Sequence, residues 1–419
     1  MRNPKLLLIV GALLISCPSS EVFGSGEPCV SCHSRPDVTP TQVRDWQVSR
    51  HAQSGVTCEI CHSAEHRSVD DAAKAKLPTP EVCANCHPEQ VEQFRRGKHA
   101  LAWTAMEAMP ATHYQPMELT VGVKGCGGCH KIGLKSEAKI RELKGQGFQH
   151  GVASCDACHT RHSFSVAEAK EPEACATCHM GFDHPQWEMY STSKHGIRYQ
   201  LRRAGKLPPD AAAPTCQTCH MPGGDHEVRT AWGFLALRLP LPEDRKWADD
   251  RVTVLKGLGV LSPDGSPTAR LEAVKLADMA RLDQASWDRE RGRILNVCSQ
   301  CHSRSFAQNE LEKADHLIRS ADSLMAEGVR TVADLYARGK LKKPEPYAYP
   351  YPDLLFFHEA RTPIEQDLFR MFLEHRMRTF QGAFHANPDY AFWYGWSEMV
   401  ADLTRIREAA GTISSANPR

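Results

Sequence analysis

The stretch from residue 126 to residue 162 contains Cys126-Gly-Gly-Cys129-His130 and, further on, Cys155-Asp-Ala-Cys158-His159-Thr-Arg161-His162. It holds two copies of the pattern Cys-x-x-Cys-His. Upstream the same pattern recurs three times: Cys29 with Cys32 and His33, Cys58 with Cys61 and His62, and Cys83 with Cys86 and His87. Downstream it recurs as Cys175 with Cys178 and His179, Cys216 with Cys219 and His220, and Cys298 with Cys301 and His302. These eight copies use all but one of the 17 cysteines in the 419-residue chain. The spacing has a chemical reason. Two thiols three residues apart reach the two vinyl groups of one haem as thioethers, and the adjacent His then sits under the ring as the proximal iron ligand. A zinc-ribbon array would also use Cys-x-x-Cys pairs, but it has no need of a His directly after every second Cys. A disulfide scaffold calls for a shorter chain and varied spacing. The expected cofactors are therefore eight c-type haems.

With eight motifs crowded between Cys29 and His302, side chains alone cannot supply the core, so the porphyrins must do so, wrapped by short helices and loops. The expected fold class is mainly α. Three segments are expected: an export signal over 1–24, a haem-rich domain over 25–238 with motifs one to seven, and a helical region over 239–419 with motif eight. The last begins after Leu239-Pro240-Leu241-Pro242 and shows 3.6-residue periodicity. Ala314, Leu317, Ile318, Ala321, Leu324 and Met325 form one apolar stripe, and Ile364, Leu368, Met371, Phe372 and His375 form another. His375, lying on its stripe, is read as a packed core residue.

At the N-terminus Arg2 and Lys5 precede an apolar run from Leu6 to Ile15, too short to span a bilayer and typical of an export signal. Leu14-Ile15-Ser16-Cys17 resembles a bacterial lipobox and would place a lipid anchor on Cys17; cleavage near Gly24 would instead discard it. Either way the protein is expected to be exported or periplasmic, where c-type haem is attached. Lys and Arg number 51 against 50 Asp and Glu, which points away from nucleic acid and leaves docking to local patches.

Thirteen of the 21 histidines lie outside the motifs. Four share a basic or amide residue, then His, then Ala or Gly: His51, His99, His150 and His195. These are read as distal iron ligands, the small neighbour letting a flat porphyrin approach the backbone. His66, His113, His184, His226 and His316 are further distal candidates, His316 lying opposite the apolar stripe of its helix.

The string His150-Gly-Val-Ala-Ser-Cys155-Asp-Ala-Cys-His-Thr-Arg-His162-Ser-Phe-Ser, with Trp187-Glu-Met-Tyr-Ser-Thr-Ser-Lys-His195-Gly and His385-Ala-Asn-Pro-Asp-Tyr390-Ala-Phe-Trp-Tyr394-Gly-Trp, resembles the octahaem hydroxylamine oxidoreductase family. The resemblance spans roughly residues 27 to 405 and is closest to the shorter members thought to act reductively. It implies a catalytic fourth haem, on Cys126, Cys129 and His130, with an open iron position, and a homotrimer. It also implies a small nitrogen-oxide substrate such as nitrite or hydroxylamine, and a redox partner that is a cytochrome or a membrane quinol-linked cytochrome. The family carries an Asp-His pair in its pocket, and Arg161-His162 is taken as the matching position: His162 would supply protons and Arg161 would attract an anion. Alternatively His162 is the distal ligand of another haem. The oxidising members also bind a Tyr to the catalytic porphyrin from a neighbouring subunit, and Tyr390 and Tyr394 lie in that region. An electron-transfer wire with every iron six-coordinate is the competing reading, since the spare histidines suffice for it.

If every motif is loaded, the intact mass of the mature protein will exceed that of its polypeptide by eight haems. Electrospray mass spectrometry under denaturing conditions measures this, and an excess of seven or fewer would refute full loading.

Overall fold

The computed structural model describes residues 27–109, 115–122, 125–147, 152–182, 184–229, 241–276, 283–343, 345, 351–356 and 360–415. The export signal and Cys17 lie outside the described residues, as do His113, His150 and the expected boundary at 238/239. The protein is mainly helical. Among the described residues a single isolated bridge, Leu261 with Pro267, is the only β-type pairing, and no helix is long and apolar enough to cross a membrane.

The chain divides into two compact units, one of residues 1–76 with 161–164, the other of 77–160 with 165–419. In the first unit, short helices alternate with loops. The Trp46 indole N–H donates to the Val56 carbonyl at 3.0 Å, fixing the loop that leads into Cys58. The backbone N–H of Lys76 donates to the His62 carbonyl at 3.0 Å and closes the following loop.

The second unit contains the remaining haem motifs and the long helices. Its main helices are α1 (Pro88–Arg96), α2 (Lys194–Arg203), α3 (Arg245–Gly257), α4 (Gln284–Cys298), α5 (Arg304–Ala337), α6 (Pro363–Arg370), α7 (Met377–Phe384) and α8 (Ser397–Ser415). Ser303 caps α5 by accepting from the Phe306 N–H, and Thr362 with Glu365 forms a capping box at α6 with Pro363 in the first turn. α3 and α8 pack along α5, and one π-helical turn, Met371–Arg376, joins α6 to α7. The core follows the predicted stripes: Ala314, Ile318, Ala321 and Met325 are buried, as are Ile364, Leu368, Met371, Phe372 and His375. Leu317 and Leu324, at the edges of the stripe, are not fully buried.

This bundle also encloses charge. Asp322 is fully buried and accepts from Arg251 at 2.6 Å, Arg376 at 2.9 Å and the Trp247 indole at 2.9 Å. Burial alone would push its carboxyl toward the neutral form, but the two guanidiniums outweigh this and hold it below the ordinary carboxylate range. His375, read from sequence as a core residue, is buried with its Nδ1 2.5 Å from an Asp402 carboxylate oxygen.

Removing Asp322 strands two buried cations, so Asp322→Ala in the haem-loaded protein should lower the unfolding free energy by about 3–5 kcal/mol. Chemical denaturation followed by far-ultraviolet circular dichroism tests this, and a loss under about 1 kcal/mol would show that the arginines find other partners.

Candidate haem centres

An imidazole bound through Nε2 places its nitrogen about 2 Å from a metal and its ring centre about 1 Å beyond, so two rings on opposite faces of one iron stand about 6 Å apart, centre to centre. Among the described residues, the histidine pairs at this separation include six that share no ring with one another. In the first unit His33 and His66 are 6.2 Å apart, and His62 and His162 are 6.1 Å apart. In the second unit the pairs are His99 with His179 at 5.9 Å, His159 with His226 at 6.2 Å, His195 with His302 at 6.1 Å and His220 with His385 at 6.4 Å. Each joins one motif histidine to one from outside the motifs. At that distance the rings do not touch, and a single metal ion between them would satisfy both.

The second ring nitrogen supports the same reading. Nδ1 of His62 donates to the Lys76 carbonyl at 3.0 Å, that of His130 to the Ala102 carbonyl at 2.7 Å, and that of His220 to the Arg229 carbonyl at 2.8 Å. Nδ1 of His385 donates to the Gln381 carbonyl at 2.8 Å, and Gln186 Oε1 accepts from His179 Nδ1 at 3.2 Å. A carbonyl can only accept, so the proton is on Nδ1 and the lone pair on Nε2, the form a metal binds. Removal from water also depresses the basicity of five of the paired rings. It pushes His179 and His385 down to about 4, with neighbouring histidines adding to the shift, and lowers His99, His195 and His220. They are neutral near pH 7, as ligation requires.

Local structure explains how the distal histidines are presented. Ser193 caps α2 by accepting from the Gly196 N–H at 3.2 Å, so His195 lies in the first turn. Ser49 does the same for the short helix Arg50–Gln53, accepting from the Ala52 N–H at 3.1 Å, and the His51 ring meets Phe164 at 5.0 Å. The small residue after the histidine, expected to make room for a porphyrin, has a different role at position 196. A Cβ there would come within 2.0 Å of the Tyr190 carbonyl oxygen, so the glycine is required by backbone packing. Gly97, two residues before His99, has a similar constraint, with the Glu227 carbonyl at 2.4 Å from any added Cβ.

Of the other candidates, His316 lies on the exposed face of α5. His87 stands at the N-cap of α1. His184 has its ring centre 6.5 Å from His130 and 6.1 Å from His179, so it stands beside the fourth motif while His179 already faces His99. His385 was missed as a ligand candidate. Its Ala386 fits the small-neighbour pattern, but Phe384 precedes it where the pattern has a basic or amide residue.

The attachment cysteines place the motifs in spatial order. The thiols of Cys29 and Cys58 touch, as do those of Cys83 and Cys155 and those of Cys175 and Cys216. Cys158 lies near Cys175 and Cys178, and Cys219 near Cys298 and Cys301. Among the described residues none of the motif cysteines is joined in a disulfide. Cys32, Cys86, Cys126 and Cys301 are exposed, and the other twelve motif cysteines are half-buried. A cavity of about 680 Å³ opens beside Cys158, lined by Thr177, Tyr199, Arg202 and Arg203 among others, a size suited to a cofactor.

Residues 28–235 and 270–345 match the family described as "Seven times multi-haem cytochrome CxxCH". The chain belongs to the multihaem cytochromes. This cytochrome carries c-type haem, and all eight of its motifs fall within the matched stretches. It is 26% identical, over 92% of its length, to a probable nitrite reductase-hydroxylamine oxidoreductase fusion protein of Kuenenia stuttgartiensis, and spans about half (51%) of that relative. Its fold is similar to a reducing HAO-like protein complex of Kuenenia stuttgartiensis, with a TM-score of 0.68 and 25% identity over 93% of this chain and 85% of that one. A hypothetical multiheme protein shares the fold, with a TM-score of 0.66 and 20% identity over 94% and 96% of the two chains.

His162→Ala and His385→Ala should each leave the haem content intact and turn one low-spin ferric iron high-spin, as seen by electron paramagnetic resonance. An unchanged low-spin count in either variant would remove that histidine from the ligand set.

Proposed function

We propose that this multihaem cytochrome is an exported oxidoreductase of small nitrogen oxides carrying eight haems, with substrate bound at the haem of Cys126, Cys129 and His130 and the other seven relaying electrons. The observation that carries the proposal is the position of His184 beside His130. His33, His62, His159, His220 and His302 each face one ring at 6.1–6.4 Å, whereas His184 lies 6.5 Å from His130 and 6.1 Å from His179, which also faces His99. The chain contains three Asp-His dipeptides: Asp183-His184, Asp225-His226 and Asp315-His316. His226 faces His159 and His316 is exposed, which leaves His184 as the histidine of such a pair that meets the fourth motif. Asp183 lies outside the described residues. Proton delivery is therefore assigned to His184 in place of His162, whose ring faces His62 as an axial ligand would. Arg161, adjacent in sequence, then needs no place in the pocket.

The open haem would supply the iron that binds nitrogen or oxygen of the substrate. The chain's own part is to hold the His130 Nδ1 proton on the Ala102 carbonyl, so that Nε2 stays available, and to keep an imidazole proton near the substrate oxygen through His184. Removing an N–O bond's oxygen as water requires such a proton source. The contacts among attachment cysteines support a relay that passes from motif three through five, six and seven to eight, with motif four entering beside six through His184. The likeness to a reducing HAO-like complex supports the reductive direction. An exposed aromatic group, Phe392, Trp393 and Tyr394, supports a homotrimer contact in the region where a partner's tyrosine would approach, with the rings of Tyr390 and Tyr394 5.1 Å apart and tilted by 31°. Electrons would come from a cytochrome or a membrane quinol-linked cytochrome, and a lipid on Cys17 would hold the protein at the membrane.

The same 6.5 Å separation of His184 and His130 supports a second reading, in which His184 is a sixth ligand and the protein is a wire. His184→Ala separates the two. The enzyme should show one high-spin haem at rest, keep its low-spin count in the variant, and lose about 100-fold or more of its nitrite turnover. A new high-spin signal appearing only in the variant would make the protein a wire.

A further inference from the structure

The histidine facing His33 differs from five other histidines of the haem centres in what holds its second nitrogen. For His62, His130, His220 and His385 the acceptor is a backbone carbonyl, and for His179 it is the Gln186 side-chain amide oxygen. His33 itself meets the Thr39 hydroxyl at 2.7 Å. All of these are neutral. His66 Nδ1 instead donates to a carboxylate oxygen of Asp71 at 3.0 Å.

Asp71 is not placed there by the histidine. The same oxygen accepts from the backbone N–H of Arg67 at 2.9 Å and of Ser68 at 2.8 Å, as part of a capping box that opens the 3₁₀ turn Val69–Lys74. Those backbone donors favour the ionised form of the carboxylate that faces His66. Its side chain is 21% exposed, so water screens the charge only in part.

We propose that Asp71 is a positioning residue that sets the reduction potential of the haem on Cys29 and Cys32, making it harder to reduce than a neutral acceptor would. A carboxylate that draws on the Nδ1 proton makes Nε2 a stronger donor, and added negative charge near the iron favours the ferric over the ferrous state. The haem whose potential Asp71 would set neighbours the haem of Cys58 and Cys61, since the Cys58 thiol touches Cys29. This inference rests on the His33–His66 ligation proposed above.

The test uses the full haem-loaded protein and spectroelectrochemical titration. Asp71→Asn keeps an oxygen for the Arg67 and Ser68 N–H groups while removing the charge. One low-spin haem should move to higher potential and the others should stay in place. In a His66→Met background, which itself should change the axial spectrum of one haem, Asp71→Asn should move that haem by less, because no imidazole N–H remains to carry the effect. If His66→Met alters one haem but Asp71→Asn moves none, the role of Asp71 is refuted and the ligation stands. A shift of undiminished size in the His66→Met background would also refute it, since the charge would then act without the hydrogen bond. If His66→Met leaves every haem spectrum unchanged, the ligation fails and the inference falls with it.

Discussion

An imidazole can bind iron only if one ring nitrogen keeps its lone pair, and the protein secures this by fixing the proton on the other. Everything else in the haem-rich segments is arranged around that tether on Nδ1. It sets the tautomer and the ring's rotation together, and at His130 it ties the motif to backbone 28 residues away. His130 is held by the Ala102 carbonyl, and the same segment presents His99 to His179. His220 is held by the Arg229 carbonyl, two residues beyond Glu227, whose own carbonyl presses on Gly97. The short helices here are spacers between such tethers more than they are packing units.

The long C-terminal helices follow a different logic. They bury apolar stripes in the ordinary way, and they enclose the Asp322–Arg251–Arg376 and His375–Asp402 groups, whose geometry is satisfied within the bundle. Those buried charges stabilise little against an apolar alternative, but they disfavour any other register of the helices, because each misplacement leaves a charge unpaired. Gln186 donating to Gln381, and Asn387 donating to the Met189 carbonyl at 2.8 Å, join this bundle to the segments around motif six, so His385 is held against His220 by a rigid neighbour.

Periodicity reported the helical bundle well, because a helix that buries one face must repeat apolar residues at 3.6-residue spacing. It could not report the charged core, since Asp322 and Arg376 look like surface residues in a linear pattern. The basic-His-small pattern singled out His51, His99 and His195, of which His99 and His195 stand about 6 Å from a motif histidine, and its physical basis at the first and last of these is a helix N-cap with a serine two residues before the histidine. It passed over His385, which lies at the end of a helix instead of the beginning. Choosing among Asp-His and Arg-His dipeptides was beyond linear reading altogether, because each has the same local chemistry and differs only in which motif histidine lies across from it.

Read linearly, the chain already declares the covalent chemistry open to it. Thioether attachment and proximal ligation are local, needing only five consecutive residues, so the motifs, the haem type and the mainly helical class were legible without a fold. Which thiols are covered was not, since Cys32, Cys61 and Cys86 occupy equivalent motif positions and differ only in the chain around them. Nor was the pairing of histidines, which belongs to the folded chain. A sixth ligand is chosen by a separation of about 6 Å across a gap that no local pattern encodes, and residues 62 and 162, or 220 and 385, reach that separation only when segments far apart in the chain are brought together.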